Sequence, residues 1–380
     1  MILQNGLVFI NDEFIPADLI VEKGKIAAIS PRRTSHPTAY KEPTIDCAEK
    51  MIWPGLFDIH THGCMGFDFS KSQPEEILSM CSFYAAHGIT SLLATTMTSE
   101  DTLYARAMHS IRQAITMQTK KTCGARIQGI HMEGPFFGAA KKGAHDENYL
   151  RPISQALVDE YQERCGYAIR LLDLDPSLPG ALDFIRRNKD NFTISIAHTN
   201  CDYKRALAAA EAGATHITHL FNAMRPLLHR EPGPVGAAFA ARLNVELICD
   251  GIHIHPAVIE LIFSAMSGRI LLISDSINPT GLVDGKYMAG GLPIEVKEKR
   301  AYLADGTLAG STITLFDAVK NAVRFHIPLN QALLAATALP AKAVGLSDTV
   351  GEIACGRDAD LLIVDESLNL ERVMIGGEFL

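Results

Sequence analysis

No window of the 380-residue sequence is densely basic: 35 Lys and Arg stand against 43 Asp and Glu, a formal net charge of −8. A phosphate-tracking surface is therefore missing, and nucleic acid is excluded as an expected partner. No apolar run reaches the roughly 18 residues of a membrane span. The stretch 243–263 is interrupted by Glu246, Asp250, His253, His255 and Pro256, so no membrane contact is expected. The eight cysteines include no C-x-x-C pair, and the N-terminus lacks the charged and apolar regions of a signal peptide. Reduced thiols and a cytoplasmic location are the expectation. Internal repeats and low-complexity tracts are missing as well. An acidic chain repels anions overall, so an anionic substrate would need a local cluster of Arg, His or main-chain N–H groups.

What is present is globular. Hydrophobic residues make up 47% and charged residues 21%, which excludes intrinsic disorder and coiled coil. Residues 1–53 and 347–380 read as short β segments separated by turns, and the two ends are expected to pair into a small β-sandwich domain. From 54 to 346 short apolar runs alternate with helical patterns, the signature of parallel βα units. Eight strands are predicted, at 55–60, 89–95, 127–133, 168–174, 193–198, 215–219, 246–250 and 270–275. The fold class is α/β, a (β/α)8 TIM-like barrel with catalytic groups at the C-terminal strand ends. A β insertion near 280–308 is expected to extend the small terminal sheet.

Several predicted strands end in a polar residue. His60 and His62 form an H-x-H whose period of two turns both imidazoles to one face, as half of a metal site or as two loop histidines. Glu133 follows an apolar strand and precedes a Gly-Pro turn, where a carboxylate needs a cation, whether a metal or a salt-bridge partner. His131 on the same face either packs or supports Glu133. His198 and His219 end two further strands, and His216 reads as structural. His and Glu ligands at one mouth suit Zn, Fe or Mn. Asp275 ends the eighth strand as a general base for water or as a helix cap.

The segments PGLFDIHTHG, HMEGPF, AHTN, THLFNAM, DGIHIHP and ISDS, in this order along essentially the whole chain, resemble the amidohydrolase superfamily, and within it the amino-sugar-phosphate deacetylase branch. The resemblance implies a divalent metal ion, one or two per subunit: Glu133, His198 and His219 hold the catalytic ion, and His60 and His62 a second. It implies Asp275 as the acid/base and His145 as a donor to the amide carbonyl. Ala144, His145, Asn222, Ala223, Arg230, His253, Leu308, Ala309 and Gly310 match substrate-binding positions. Arg230 and His253 would cross the interface of a homodimer, although Arg230 could equally pair with Glu231, and Lys141 and Lys142 read as a solvated loop. The implied reaction is hydrolysis of the acetamide of N-acetylglucosamine 6-phosphate to glucosamine 6-phosphate and acetate. Its alternatives are the galactosamine epimer, a cyclic amide, or a non-catalytic binding barrel. The chain departs from the family pattern at 173–177 and 276–281.

Overall fold

Eight short parallel strands form one sheet whose order follows the sequence: β1 (Leu56–Thr61), β2 (Ile89–Thr96), β3 (Arg126–Met132), β4 (Ile169–Leu174), β5 (Thr193–Ile196), β6 (His216–Ile217), β7 (Asn244–Ile248) and β8 (Ile270–Ile273). The computed structural model describes residues 1–31, 43–120 and 124–380, so Cys123 lies outside the described residues; no disulfide joins the other seven cysteines to one another. Both faces of these strands are covered, which is why their sequences are nearly continuous apolar runs; all eight positions of β2 are buried. The ring is brought near closure between β1 and β8, where Thr61 bridges Ser276 and the Asp275 amide donates to the His60 carbonyl at 2.9 Å.

Helices follow the strands, beginning with Pro74–Ala86 after β1 and reaching Leu315–Arg324 after β8. Their ends are written in the sequence. Gly166 closes Gln155–Cys165 in the left-handed conformation, and Asp202 caps the start of Tyr203–Ala212 by accepting from the Arg205 amide. Two predicted strands are shorter than their apolar runs. β5 stops at Ile196 and β6 at Ile217, because His198 and His219 take positive φ angles of 43° and 31° that no strand continues through.

The termini build a second sheet. Lys50–Pro54 pairs antiparallel with Leu361–Asp365, joining the two ends of the chain, and a core of Leu3, Val8, Leu19, Ile26, Ile52, Leu361 and Met374 lies within this region. Lys50–Pro54 leads directly into β1, so this sheet anchors the strand that carries His60. The insertion does not extend the terminal sheet, as the sequence suggested. Gly285–Ala289, Leu292–Lys297 and Arg300–Leu303 form their own antiparallel three-stranded sheet. The reason is packing: Ala289, Ile294, Val296 and Ala301 bury against Ile277, Ala309 and Ala144, which holds this sheet beside the barrel mouth. Among the described residues no helix is long and apolar enough to cross a membrane.

Candidate metal centre

The C-terminal strand ends converge on one carboxylate. Glu133, immediately after β3, places Oε1 3.2 Å from His198 Nε2 and 3.1 Å from His219 Nε2, while Oε2 lies 3.2 Å from His62 Nε2 and 3.3 Å from His145 Nε2. The His198 and His219 Nε2 atoms are themselves 3.1 Å apart. Four ligands at about 2.1 Å in a tetrahedron stand about 3.4 Å from one another, so this triangle fits a divalent ion closely. A second group, His60, His62 and Asp275, lies alongside. Asp275 Oδ1 is 3.5 Å from His60 Nε2 and 3.3 Å from His62 Nε2.

The charge state of this cluster argues for a cation. Burial opposes ionisation of Glu133, yet the nearby charges of His145 and His60 and hydrogen bonds from His145 and His198 hold its carboxyl well below the usual range. Burial likewise works against a charged His62, and Asp275 and Glu133 overcome it, raising its pKa well above normal. Carboxylates enclosed in this way draw in positive charge, and a divalent ion answers the demand without protonating the imidazoles.

The tautomers divide the histidines into two kinds. His60 Nδ1 faces Glu246 Oε2 at 2.9 Å and His198 Nδ1 faces the Lys141 carbonyl at 3.0 Å; with Nδ1 protonated and donating to these oxygens, each ring leaves Nε2 bare for a ligand bond. His145 is the reverse. The Thr98 amide donates to its Nδ1 at 3.3 Å and the Thr98 hydroxyl, 2.9 Å from the same nitrogen, can donate as well, so the ring proton sits on Nε2, aimed at the cleft. Burial pushes the His145 pKa down to about 4, so it is a neutral donor.

Local sequence explains these placements. Gly143 adopts φ +57°, and a Cβ there would sit 3.1 Å from His198 Cε1; the glycine lets the 139–145 loop press its Lys141 carbonyl onto His198. Phe137 stacks on the other side of the same ring, centroids 4.4 Å apart. Gly310, at φ +64°, allows its loop to lie 2.9 Å from the Asp275 carbonyl, measured from where a Cβ would be.

Of the sequence-predicted residues, His62, Glu133, Ala144, His145, His198, His219, Asn222, Ala223, His253, Asp275, Leu308, Ala309 and Gly310 line one cleft. His60 is fully buried beneath it. His253 belongs to its own chain's cleft, where Asp250 Oδ2 grips its Nδ1 at 2.7 Å, so it needs no second subunit to reach the site. Arg230 is exposed and is not brought to the cleft of its own chain. His131 packs under the site with Nε2 3.0 Å from Asp173 Oδ1, and His216 is buried in β6. Sequence reasoning missed Glu246 and Thr98. Glu246 had a signal, as a lone carboxylate inside an apolar strand; Thr98, two residues past β2, had none.

With this geometry in place, comparison with known proteins is decisive for the family. Residues 51–380 match the family model described as the Amidohydrolase family. The chain is similar to the N-acetylglucosamine-6-phosphate deacetylase of Bacillus subtilis (strain 168), 36% identical over 96% of this chain and 89% of that protein. It is also similar to the N-acetylgalactosamine-6-phosphate deacetylase of Escherichia coli O157:H7, 31% identical over 95% of this chain and 93% of that one. The solved N-acetylglucosamine-6-phosphate deacetylase of Pasteurella multocida superimposes with a TM-score of 0.92 at 28% identity, covering 100% of this chain and 99% of the other. A barrel with this order of strands, carrying this ligand set at its C-terminal mouth, belongs to the amidohydrolase family.

Proposed function

We propose that the protein hydrolyses the acetamide of N-acetylglucosamine 6-phosphate, releasing acetate and glucosamine 6-phosphate. The observation that carries the reading is Glu133, whose two oxygens meet four imidazoles at 3.1–3.3 Å at the floor of the cleft. Glu133, His198 and His219 would hold the catalytic ion, and His60 and His62 with Asp275 a second. Bound there, a divalent ion supplies Lewis acidity toward the acetyl carbonyl and toward water. His145 donates its Nε2 proton to the oxygen that becomes negative in the transition state, a contribution of about 3 kcal/mol. Asp275 takes the proton from the attacking water and returns it to the leaving nitrogen, without which an amine leaves poorly.

The substrate's phosphate needs cations beyond those that the described residues of one chain bring to the cleft. Among the described residues lining the cleft there is no Arg or Lys, only histidines. A homodimer in which Arg230 reaches the neighbouring cleft would meet this need, and the half-exposed Leu227 and Leu228 beside Arg230 offer apolar surface for such a contact. That no disulfide joins the described cysteines to one another fits a reducing cytoplasm. The test is acetate release by protein loaded with Zn2+, Fe2+ or Mn2+, offered acetylated glucosamine and galactosamine with and without the 6-phosphate. Turnover is expected to need both the ion and the phosphate and to favour the glucosamine epimer. Preference for the galactosamine epimer would redirect the reading to the second relative's substrate, and indifference to phosphate would remove Arg230 and His253 from the site.

A further inference from the structure

Glu246 sits on β7 between Val245 and Leu247, is fully buried, and does not line the cleft. Its short contact runs to one ion pocket: Oε2 lies 2.9 Å from His60 Nδ1, against a marginal 3.4 Å from the His219 main-chain N–H. Its other oxygen, Oε1, is buried without a partner. A carboxylate enclosed at this cost, with its one short contact to an imidazole, is placed there for that imidazole. His131 completes the clamp. Its ring packs edge-on against His60, centroids 4.5 Å apart, while its own nitrogens face the Ile59 carbonyl and Asp173 at 3.0 Å each. The His60, His131 and Glu246 group is therefore a hydrogen-bonded support and not a further ion pocket.

We propose that Glu246 is the positioning residue of the pocket formed by His60, His62 and Asp275, accepting the His60 Nδ1 proton so that Nε2 stays bare and aimed at the ion. The inference rests on the two-ion reading above. An ion at Nε2 requires the ring's remaining proton on Nδ1, and Glu246 is the acceptor there. His62 has no such support, because its Nδ1 is buried without a partner. The pocket thus depends on one imidazole held from behind by a side chain. In the neighbouring pocket the corresponding hold on His198 comes from a main-chain carbonyl.

The test is equilibrium binding of Zn2+ alone, followed by competition with a chromophoric chelator, with ion content measured on the full chain. Glu246→Gln and Glu246→Leu are compared with wild type, with H198A and H60A marking the two pockets and thermal melts confirming that each variant is folded. Wild type is expected to bind two ions. Glu246→Leu should weaken one of them, the ion lost in H60A, by about 10–100-fold, leaving the ion lost in H198A untouched. Glu246→Gln keeps an acceptor oxygen and should fall between. If Glu246→Leu does not fold, the same selective weakening in Glu246→Gln carries the test. Wild-type binding of both ions in a folded variant, or equal weakening of both, would overturn the proposal. A wild type that binds one ion, lost in H198A and kept in H60A, would overturn the two-ion reading and this inference with it.

Discussion

The two ligand groups at the barrel mouth stand on different kinds of backbone. His60 and His62 come from one strand end, turned to the same side by its period of two, and are tied to β8 by main-chain hydrogen bonds from the Asp275 amide to the His60 carbonyl and from the His62 amide to the Ser276 carbonyl. Glu133, His198 and His219 come from three separate strand ends. His198 and His219 sit at φ 43° and 31°, conformations that cost on the order of 1–3 kcal/mol each for a residue with a side chain. One group is built by regular structure and the other by strained turns held from outside, through the Lys141 carbonyl and the Phe137 ring. The difference teaches where precision is stored: in the first group by the strand, in the second by its neighbours. Asp275, at φ 49°, belongs to the first group by contact and shares the strain of the second.

The substitution with the largest expected effect is Asp275→Asn. As acid and base for both halves of the reaction it should lower kcat by about 10³–10⁴-fold, while ion content at Glu133, His198 and His219 stays at the wild-type level. Steady-state acetate release paired with elemental analysis reads both; loss of that ion would merge the two groups into one. His145→Ala comes next, with a fall in kcat of about 10²–10³-fold and full retention of ions, since its Nε2 carries a proton and not a free lone pair. An ion lost in this variant would make His145 a ligand. Smaller again is Gly143→Ala. The new Cβ at φ +57° crowds His198 and costs about 1–2 kcal/mol of stability. Ion binding by the Glu133 group should weaken while the His60 group is unaffected, and a Zn2+ titration that shows both weakened equally would erase the contrast between strand-built and neighbour-held pockets.

The same contrast explains what could be read from the sequence. Barrel strands were legible because burial on both faces writes itself as apolar runs, and the predicted bounds differ from the observed ones mainly where a ligand leaves the strand, as at His198 and His219. The H-x-H pair was legible from local periodicity alone. Glu133, His198 and His219 were legible only as strand-final polar residues, since nothing local says that three loops meet. The insertion was misplaced because its alternating pattern marks a half-buried sheet without naming the surface it covers, and that surface is Ile277 and Ala309. Thr98 meets His145 Nδ1 with its main-chain N–H and with its hydroxyl, but a single threonine in a loop does not say which ring it will face. Arg230 matches a motif, yet its position in the single chain is set by a surface turn away from the cleft.

Behind both groups, His216 offers the smallest and cleanest comparison, because it is an imidazole of the barrel interior that is not a member of either ligand group. It is fully buried in β6 with Nε2 unpartnered, and burial, reinforced by His131, pushes its pKa down to about 3. The folded chain therefore refuses a proton that the unfolded chain accepts near pH 6.5. Stability is undiminished above that pH and falls as pH drops through it, with a slope approaching 1.4 kcal/mol per pH unit until the folded-state value is reached. Between pH 7 and pH 5 the loss from this one group is about 2 kcal/mol. In His216→Gln the unfolded chain has no such proton to gain, so the decline in unfolding free energy between these pH values, from urea melts, should be smaller than in wild type by that amount, whatever the variant's stability at pH 7. Ion release on acidification is common to both chains and cancels in the difference. An identical decline in the two would mean that His216 takes up its proton in the folded state, and that the strand beneath the strained ligands is as ready to hold charge as the mouth above it.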